Sequence, residues 1–385
     1  MDRICTIIAL NYLPQAMALL ESTRKLYPDI EFFVLIIDAK SNELPYLHTA
    51  TILIPEDLDI ETLWLAQMRS YYDAMELATS LKPFLLETLL IKGVSSVTFL
   101  DPDILLYTKL SEGMNAAKEF GIALTPHRLT PANIANSDFT ELAFLQFGIF
   151  NLGYIAVGQK SKPMLTWWGE RLRWYCTKYP KDPVFTDQKW LNFVPAFFEH
   201  KIIQNPGYNF ASWNINERPL SMQDSELCIN GHKLVFIHFS QMSGALMRGK
   251  SVDHWEKSLT NVPNSSKSLE IVSGLTHQYS NTLVANRKMI IEYESFSKFY
   301  LQSSFHSKRK LIAKNMNDTN LVRLHNNPAI HFISTRKNFV RITLLLEKSA
   351  SLNGLRDGLL QDYQKIKIKF MKTSVTSKSR EKSRG

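Results

Sequence analysis

Ser95-Ser96-Val97-Thr98-Phe99-Leu100-Asp101-Pro102-Asp103-Ile104-Leu105-Leu106 is the most informative stretch of the chain. Val97 to Leu100 is a short apolar run rich in strand formers and reads as a buried strand. Asp101-Pro102-Asp103 ends it, because proline cannot continue a central ladder. Both aspartates therefore sit just past the strand's C-terminal end, the edge where ligands bind in open α/β sheets. Two hard carboxylates one residue apart on a stiff turn suit an octahedral divalent cation that also takes phosphate oxygens. Such an ion can stabilise the charge on a departing diphosphate.

A bare Asp-x-Asp is common, with roughly one copy expected by chance in a chain this long. Asp57-Leu58-Asp59 is a second copy, and no apolar strand precedes it. Context decides between them. On the N-terminal side, Ile4 to Leu10 reads as a strand, Gln15 to Leu26 as an amphipathic helix, and Glu31 to Asp38 as a second buried strand. Strand, helix, strand opens a doubly wound sheet. Tyr71 to Thr79 has a helical pattern, and Pro83 starts a fresh helix that runs to Gly93. Lys82 is thereby placed at a helix N-terminus, where the pole favours anions; a solvated lysine is the plainer alternative.

Beyond the aspartates, Gly121 to Thr125 reads as a strand. Phe150-Asn151-Leu152-Gly153 interrupts an apolar run before a strand at Tyr154 to Val157. Met164 to Tyr175 is a Trp-rich helix, and Thr186 or Asp187 can cap a helix over Lys189 to Phe198. Asn205 to Arg218 has the Pro, Gly and Asn content of an irregular loop, with Trp213 and Asn214 suited to stacking on a sugar or to plain loop packing. Leu234 to Phe239 is the last clear strand and carries His238, which by itself is more often a satisfied core residue than a ligand.

The whole chain has 385 residues, 45% hydrophobic and 21% charged, the balance of a soluble globular protein. Its net charge of +9 is unevenly spread: residues 365–385 hold six Lys and two Arg against one Glu, a net of +7, which leaves +2 for the rest. A nucleic-acid-binding fold is therefore not expected. Cys5, Cys176 and Cys228 form no CxxC pair, which fits a reducing compartment. No signal peptide is evident, and Leu142 to Val157 is too short and too interrupted to span a membrane. A cytoplasmic protein is expected. Its basic tail is expected to be disordered and suited to peripheral contact with anionic lipid.

The order of these motifs resembles that of GT-A glycosyltransferases, in particular family eight, the glycogenin-like and bacterial lipopolysaccharide galactosyltransferase-like group. The resemblance covers roughly residues 1 to 255. It implies an α/β Rossmann-like fold, a mixed sheet flanked by helices, with residues 1–257 as the catalytic domain. Residues 258–364 would form a mainly helical accessory region ahead of the tail. It further implies that Asn11 and Tyr12 form the nucleoside turn and that Lys82 lies near the donor phosphates. Asp101, Asp103 and His238 would hold Mn²⁺ or Mg²⁺, Asn151 and Gly153 would line the sugar site, and Asp187 and Gln188 would lie beneath the donor sugar. The implied activity is a hexosyltransferase, moving a sugar from a UDP-linked donor to a hydroxyl on a glycan or lipid-linked acceptor, with retention.

One departure stands out. The family often follows its histidine with Gly and then Lys-Pro-Trp, whereas His238 leads to Phe239-Ser240-Gln241-Met242-Ser243-Gly244. Arg248 or Lys250 could substitute for that lysine. Two rivals remain open: a GT-A-like domain that binds a glycan or partner without turnover, and an aspartate-nucleophile phosphatase. The latter usually has Gly-Thr after its Asp-x-Asp, where this chain has Ile104-Leu105.

Overall fold

The computed structural model describes residues 1–39, 45, 47, 49–132, 141–178, 183–240 and 265–288. The chain divides into two compact units: Met1–Met68 with Ala74–Lys298, and Arg69–Asp73 with Phe299–Gly385. The expected boundary after residue 257, the region past residue 288, the basic tail, and Arg248 and Lys250 lie outside the described residues.

In chain order the strands are β1 (Asp2–Ile8), β2 (Glu31–Ile36), β3 (Thr51–Leu53), β4 (Ser96–Leu100), β5 (Ile104–Leu106) and β6 (Ile122–Pro126). They continue as β7 (Phe150–Gly158), β8 (Lys201–Ile202), β9 (Leu220–Gln223), β10 (Glu226–Ile229), β11 (His232–Lys233) and β12 (Phe236–His238). The α-helices of the first half are α1 (Leu13–Leu26), α2 (Thr62–Tyr71), α3 (Ala74–Ser80), α4 (Lys82–Leu89) and α5 (Ser111–Phe120). Among the described residues these are followed by α6 (Glu141–Phe147), α7 (Lys162–Leu172), α8 (Val194–Phe197) and α9 (Ser265–Lys288).

Among the described residues seven strands form one mixed sheet in the order β3-β2-β1-β4-β7-β6-β8. β1 is parallel to both β2 and β4, while β7 runs antiparallel to β4 and β6. The chain leaves β1 toward one edge of the sheet and returns through β4 on the other side. The C-terminal ends of β1 and β4 thus make the crevice in which doubly wound sheets bind ligands. β4 is buried along its whole length, so Ser96 and Thr98 on one face are as enclosed as Val97, Phe99 and Leu100. The mixed sheet with flanking helices agrees with the fold expected from the sequence.

Ile4, Ile8, Val34, Ile36 and Leu100 pack against Leu13, Ala16 and Leu19 of α1 and Met114 and Ala117 of α5. A second cluster joins Phe210, Ile237 and Phe239 to Val272, Tyr279 and Leu283 of α9. Phe239 stacks on Tyr279 with ring centroids 4.2 Å apart. Asn286 Nδ2 also donates to the Pro14 carbonyl at 3.0 Å, tying α9 to the start of α1. Each large apolar side chain so buried contributes roughly 1.5–3 kcal/mol.

Several elements differ from expectation. Asn151 and Gly153 lie inside β7, so the Phe150–Gly153 segment is strand and not an interruption. Lys189 to Phe198 is a 3-10 turn over Gln188–Phe193 followed by the single turn of α8. Lys82 does not open a free helix pole: Leu81 N–H donates to Leu77 O at 3.1 Å and Leu85 N–H to Leu81 O at 3.0 Å, so α3 runs on into α4. The loop from Asn205 to Arg218 is followed by a β9–β10 hairpin whose turn, Asp224-Ser225, has φ of 48° and 65°. Among the described residues no helix is long and apolar enough to cross a membrane.

Candidate functional site

The site begins at the end of β4. Asp101 N–H donates to Gly153 O at 2.8 Å, which docks the start of the Asp-Pro-Asp turn on β7. The chain then turns back as β5, which pairs antiparallel with β12 and sets Ile104 opposite His238. Phe239 N–H closes the turn by donating to Asp103 O at 2.9 Å. This short ladder brings an imidazole from residue 238 beside both aspartates. His238 Nε2 lies 3.1 Å from Asp103 Oδ1 and 3.8 Å from Asp101 Oδ2. The three side chains offer ligand atoms that all lie within 4.8 Å of one another. Two hard carboxylates and one imidazole are a fitting donor set for Mn²⁺ or Mg²⁺, with other coordination positions left for substrate oxygens.

Electrostatics within the cluster are tightly coupled. Burial lowers the His238 pKa, but the charge of Asp103, a hydrogen bond to it and the charge of Asp101 outweigh burial and raise it overall. Burial raises the Asp101 carboxyl above its usual range; Lys82 and His238 pull it down, and Asp103 and Asp187 push it further up.

Behind the aspartates lies Lys82, with only 3% of its side chain exposed. Its Nζ donates to Leu152 O at 2.8 Å, meets Asp187 Oδ2 at 2.8 Å and lies 3.5 Å from Asp101 Oδ1. It also stands 4.5 Å above the Phe99 ring. Burial alone would lower its pKa, but Asp101 and Asp187 more than offset this and raise it. The ammonium thus gives a hydrogen bond to one backbone carbonyl and is ion-paired with two carboxylates. Asp187 occupies the N-cap position of the 3-10 turn, yet its side chain makes no capping bond and turns to Lys82 instead. Gln188 Nε2 donates to Phe147 O at 2.9 Å, so its amide is engaged at the foot of β7.

Asn11 and Tyr12 follow β1 in a 3-10 turn whose first N–H, that of Leu10, donates to Asp38 Oδ1 at 2.8 Å. Asn11 is exposed and Tyr12 is 39% exposed. The Tyr12 phenol is raised by desolvation and then by the charge of Asp103 and Asp101.

Gly153 has a clear steric reason. A Cβ there would run into His238 Cε1 and come within 2.6 Å of His238 Nδ1. Asn151, His127 and Asn209 complete the surroundings. Asn209, with φ of 55°, donates from Nδ2 to Thr125 Oγ1 at 3.0 Å and to Asn151 Oδ1 at 3.1 Å. Asn214 fixes this loop by donating to Asn209 O at 2.9 Å and His127 O at 3.1 Å. His127 stacks on Phe144 at 4.8 Å, and Trp213 stands edge-on to His238 at 5.3 Å. Sequence reasoning missed His127 and Asn209; the density of asparagines between residues 205 and 216 was a signal for Asn209 alone.

No family model matches the chain. It is 25% identical to the uncharacterized protein YfnF of Bacillus subtilis (strain 168) over 243 residues, 61% of this chain and 80% of that one. It is also 25% identical to the uncharacterized protein YfnD of the same strain over 246 residues, 61% of this chain and 76% of that one. Among solved structures, the galactosyltransferase LgtC in complex with donor and acceptor sugar analogs is 13% identical, covers 71% of this chain and 96% of its own, and has a TM-score of 0.42. Mouse xyloside xylosyltransferase 1 is 11% identical, covers 63% and 98%, and has a TM-score of 0.37. At TM-scores below 0.5 these likenesses bear no weight on the chemistry of the site, which rests on its own geometry.

Proposed function

We propose that this chain is a metal-dependent hexosyltransferase that moves a sugar from a nucleotide-sugar donor to a hydroxyl acceptor. The donor is UDP-linked, the acceptor is a glycan or lipid-linked glycan, and the anomeric configuration is retained. The observation that carries this reading is the convergence of Asp101, Asp103 and His238 at the edge of β1 and β4. These three residues would hold Mn²⁺ or Mg²⁺. When bound, such an ion counters the charge on a departing diphosphate.

The remaining roles fall to the chain's own side chains. Asn11 and Tyr12, open at the end of β1, receive the nucleoside. Lys82 acts by holding Asp187 and Asp101, with which it is ion-paired from a buried position. Asp187 and Gln188 orient the donor sugar, with Asn151 and Gly153 forming the strand beneath the metal ligands. The three cysteines are buried and in no disulfide among the described residues, which supports a cytoplasmic setting. Contact of the basic tail with anionic lipid is a separate proposal, tested by deleting residues 365–385 and measuring vesicle binding.

The deciding experiment incubates the full chain with a panel of UDP- and GDP-sugars, with Mn²⁺ or with EDTA. Nucleotide release from one UDP-sugar, lost in EDTA, is expected. Tight donor binding without release from any donor would overturn turnover and leave a glycan- or partner-binding domain.

A further inference from the structure

We infer that Asn151 is a positioning residue that selects the tautomer of His238 through its carboxamide oxygen. The inference deepens the proposed function, and rests on it only in that the metal is the group His238 serves.

The chain of hydrogen bonds assigns itself from one fixed end. The Gly153 backbone N–H donates to one terminal atom of Asn151 at 3.1 Å, so that atom must be the oxygen, Oδ1. His238 Nδ1 lies 3.2 Å from the same oxygen, and an oxygen that only accepts requires a proton on Nδ1. Asn209 Nδ2 supplies a third donor at 3.1 Å. On the other side, His127 Nδ1 faces Ile149 O at 3.1 Å and must carry the proton there, which leaves its Nε2 to accept from Asn151 Nδ2 at 3.3 Å. Asn151 thus receives three donors and gives one of its two N–H groups, in a pocket where it is only 8% exposed.

With Nδ1 holding its proton, Nε2 is the nitrogen left to face Asp101 and Asp103. A metal-ligating imidazole is commonly held in this way, its second nitrogen donating to a fixed oxygen that sets tautomer and ring orientation. Here a carboxamide takes the place often filled by a carboxylate. His127 prevents it from rotating, because the flipped amide would place Oδ1 against the His127 Nε2 lone pair.

The test uses the full chain, ring-¹⁵N-labelled at histidine, with Mn²⁺ titrations for affinity and diamagnetic Zn²⁺ for spectroscopy. Wild-type protein loaded with Zn²⁺ is expected to show His238 protonated at Nδ1. Asn151→Ala should weaken Mn²⁺ binding about 10- to 100-fold and lose that Nδ1–H signal. Asn151→Asp keeps an acceptor for Nδ1–H, and should retain both the signal and most of the affinity. A folded Asn151→Ala with wild-type affinity and an unchanged Nδ1–H signal would overturn the inference. So would a wild-type spectrum with His238 unprotonated at Nδ1, which needs no variant to fold. Absence of Mn²⁺ binding in wild type would instead count against the metal reading, while protection of the apoprotein Nδ1–H from solvent exchange, lost or kept in Asn151→Ala, would still decide the role of Asn151.

Discussion

Two Asp-x-Asp tripeptides in one molecule have opposite fates. Asp57-Leu58-Asp59 turns its leucine into the core and its two aspartates to solvent. Asp57 Oδ2 accepts from Ile54 N–H at 2.8 Å and so serves the start of a 3-10 turn, and Asp59 N–H donates to Thr88 Oγ1 at 2.9 Å. Asp101-Pro102-Asp103 instead meets His238 on one side and Lys82 on the other. The tripeptide itself does not make a metal site. What makes one is a buried strand that delivers it to the sheet edge and a second strand that returns a nitrogen ligand.

That contrast can be tested by matched substitutions. The largest effect is expected from the double variant Asp101→Ala with Asp103→Ala. Losing several kcal/mol of charge stabilisation should lower Mn²⁺-dependent nucleotide release by about 10³-fold or more. The control, Asp57→Ala with Asp59→Ala, should leave release unchanged; equal loss in both would remove the distinction between the motifs.

Next comes the acid sensitivity of the network behind the aspartates. Burial first, with contributions from charged neighbours, lowers the pKa of His127 from 6.5 to about 4. Between these values the unfolded chain binds more protons than the folded one, so stability is complete above the unfolded pKa and falls as pH drops through about 4. The full loss amounts to ~3 kcal/mol. Urea midpoints at pH 7 and pH 4 should show it, and His127→Gln, which cannot titrate but keeps a donor and an acceptor, should flatten the dependence.

Gly153→Ala should have a smaller effect, on the order of 1–3 kcal/mol of stability, because the added methyl overlaps His238 and the strand or the ring must shift. Its specific mark is weaker Mn²⁺ binding at a temperature where the fold is intact. Smallest of all is Asp57→Ala alone, which removes one turn-capping bond and should lower the thermal midpoint by what ~1 kcal/mol brings, without touching metal affinity.

How much could be read in advance divides along the same line. β1, α1, β2 and β4 were legible because each buries a contiguous apolar pattern whose period shows locally. The strand character of Asn151 and Gly153 was not, since glycine and asparagine are poor strand formers and only the close approach of His238 explains them. Lys82 read as a surface cation at a helix pole because its partners, Leu152 and Asp187, are brought in by other elements. Asp187 read as a helix cap for the same reason.

Composition and local pattern alone therefore determined a helix-and-strand alternation, the buried strand at Val97 to Leu100 and the position of its two aspartates at a strand end. Tertiary structure alone decided that His238 would reach them, that Asn151, 87 residues before it, would hold its ring, and that Lys82 would be buried between two carboxylates. The physical reason is range. Propensity and periodicity act over one turn or one strand, whereas convergence of charges depends on strand pairings between distant segments, whose register is set by the packing of the whole sheet.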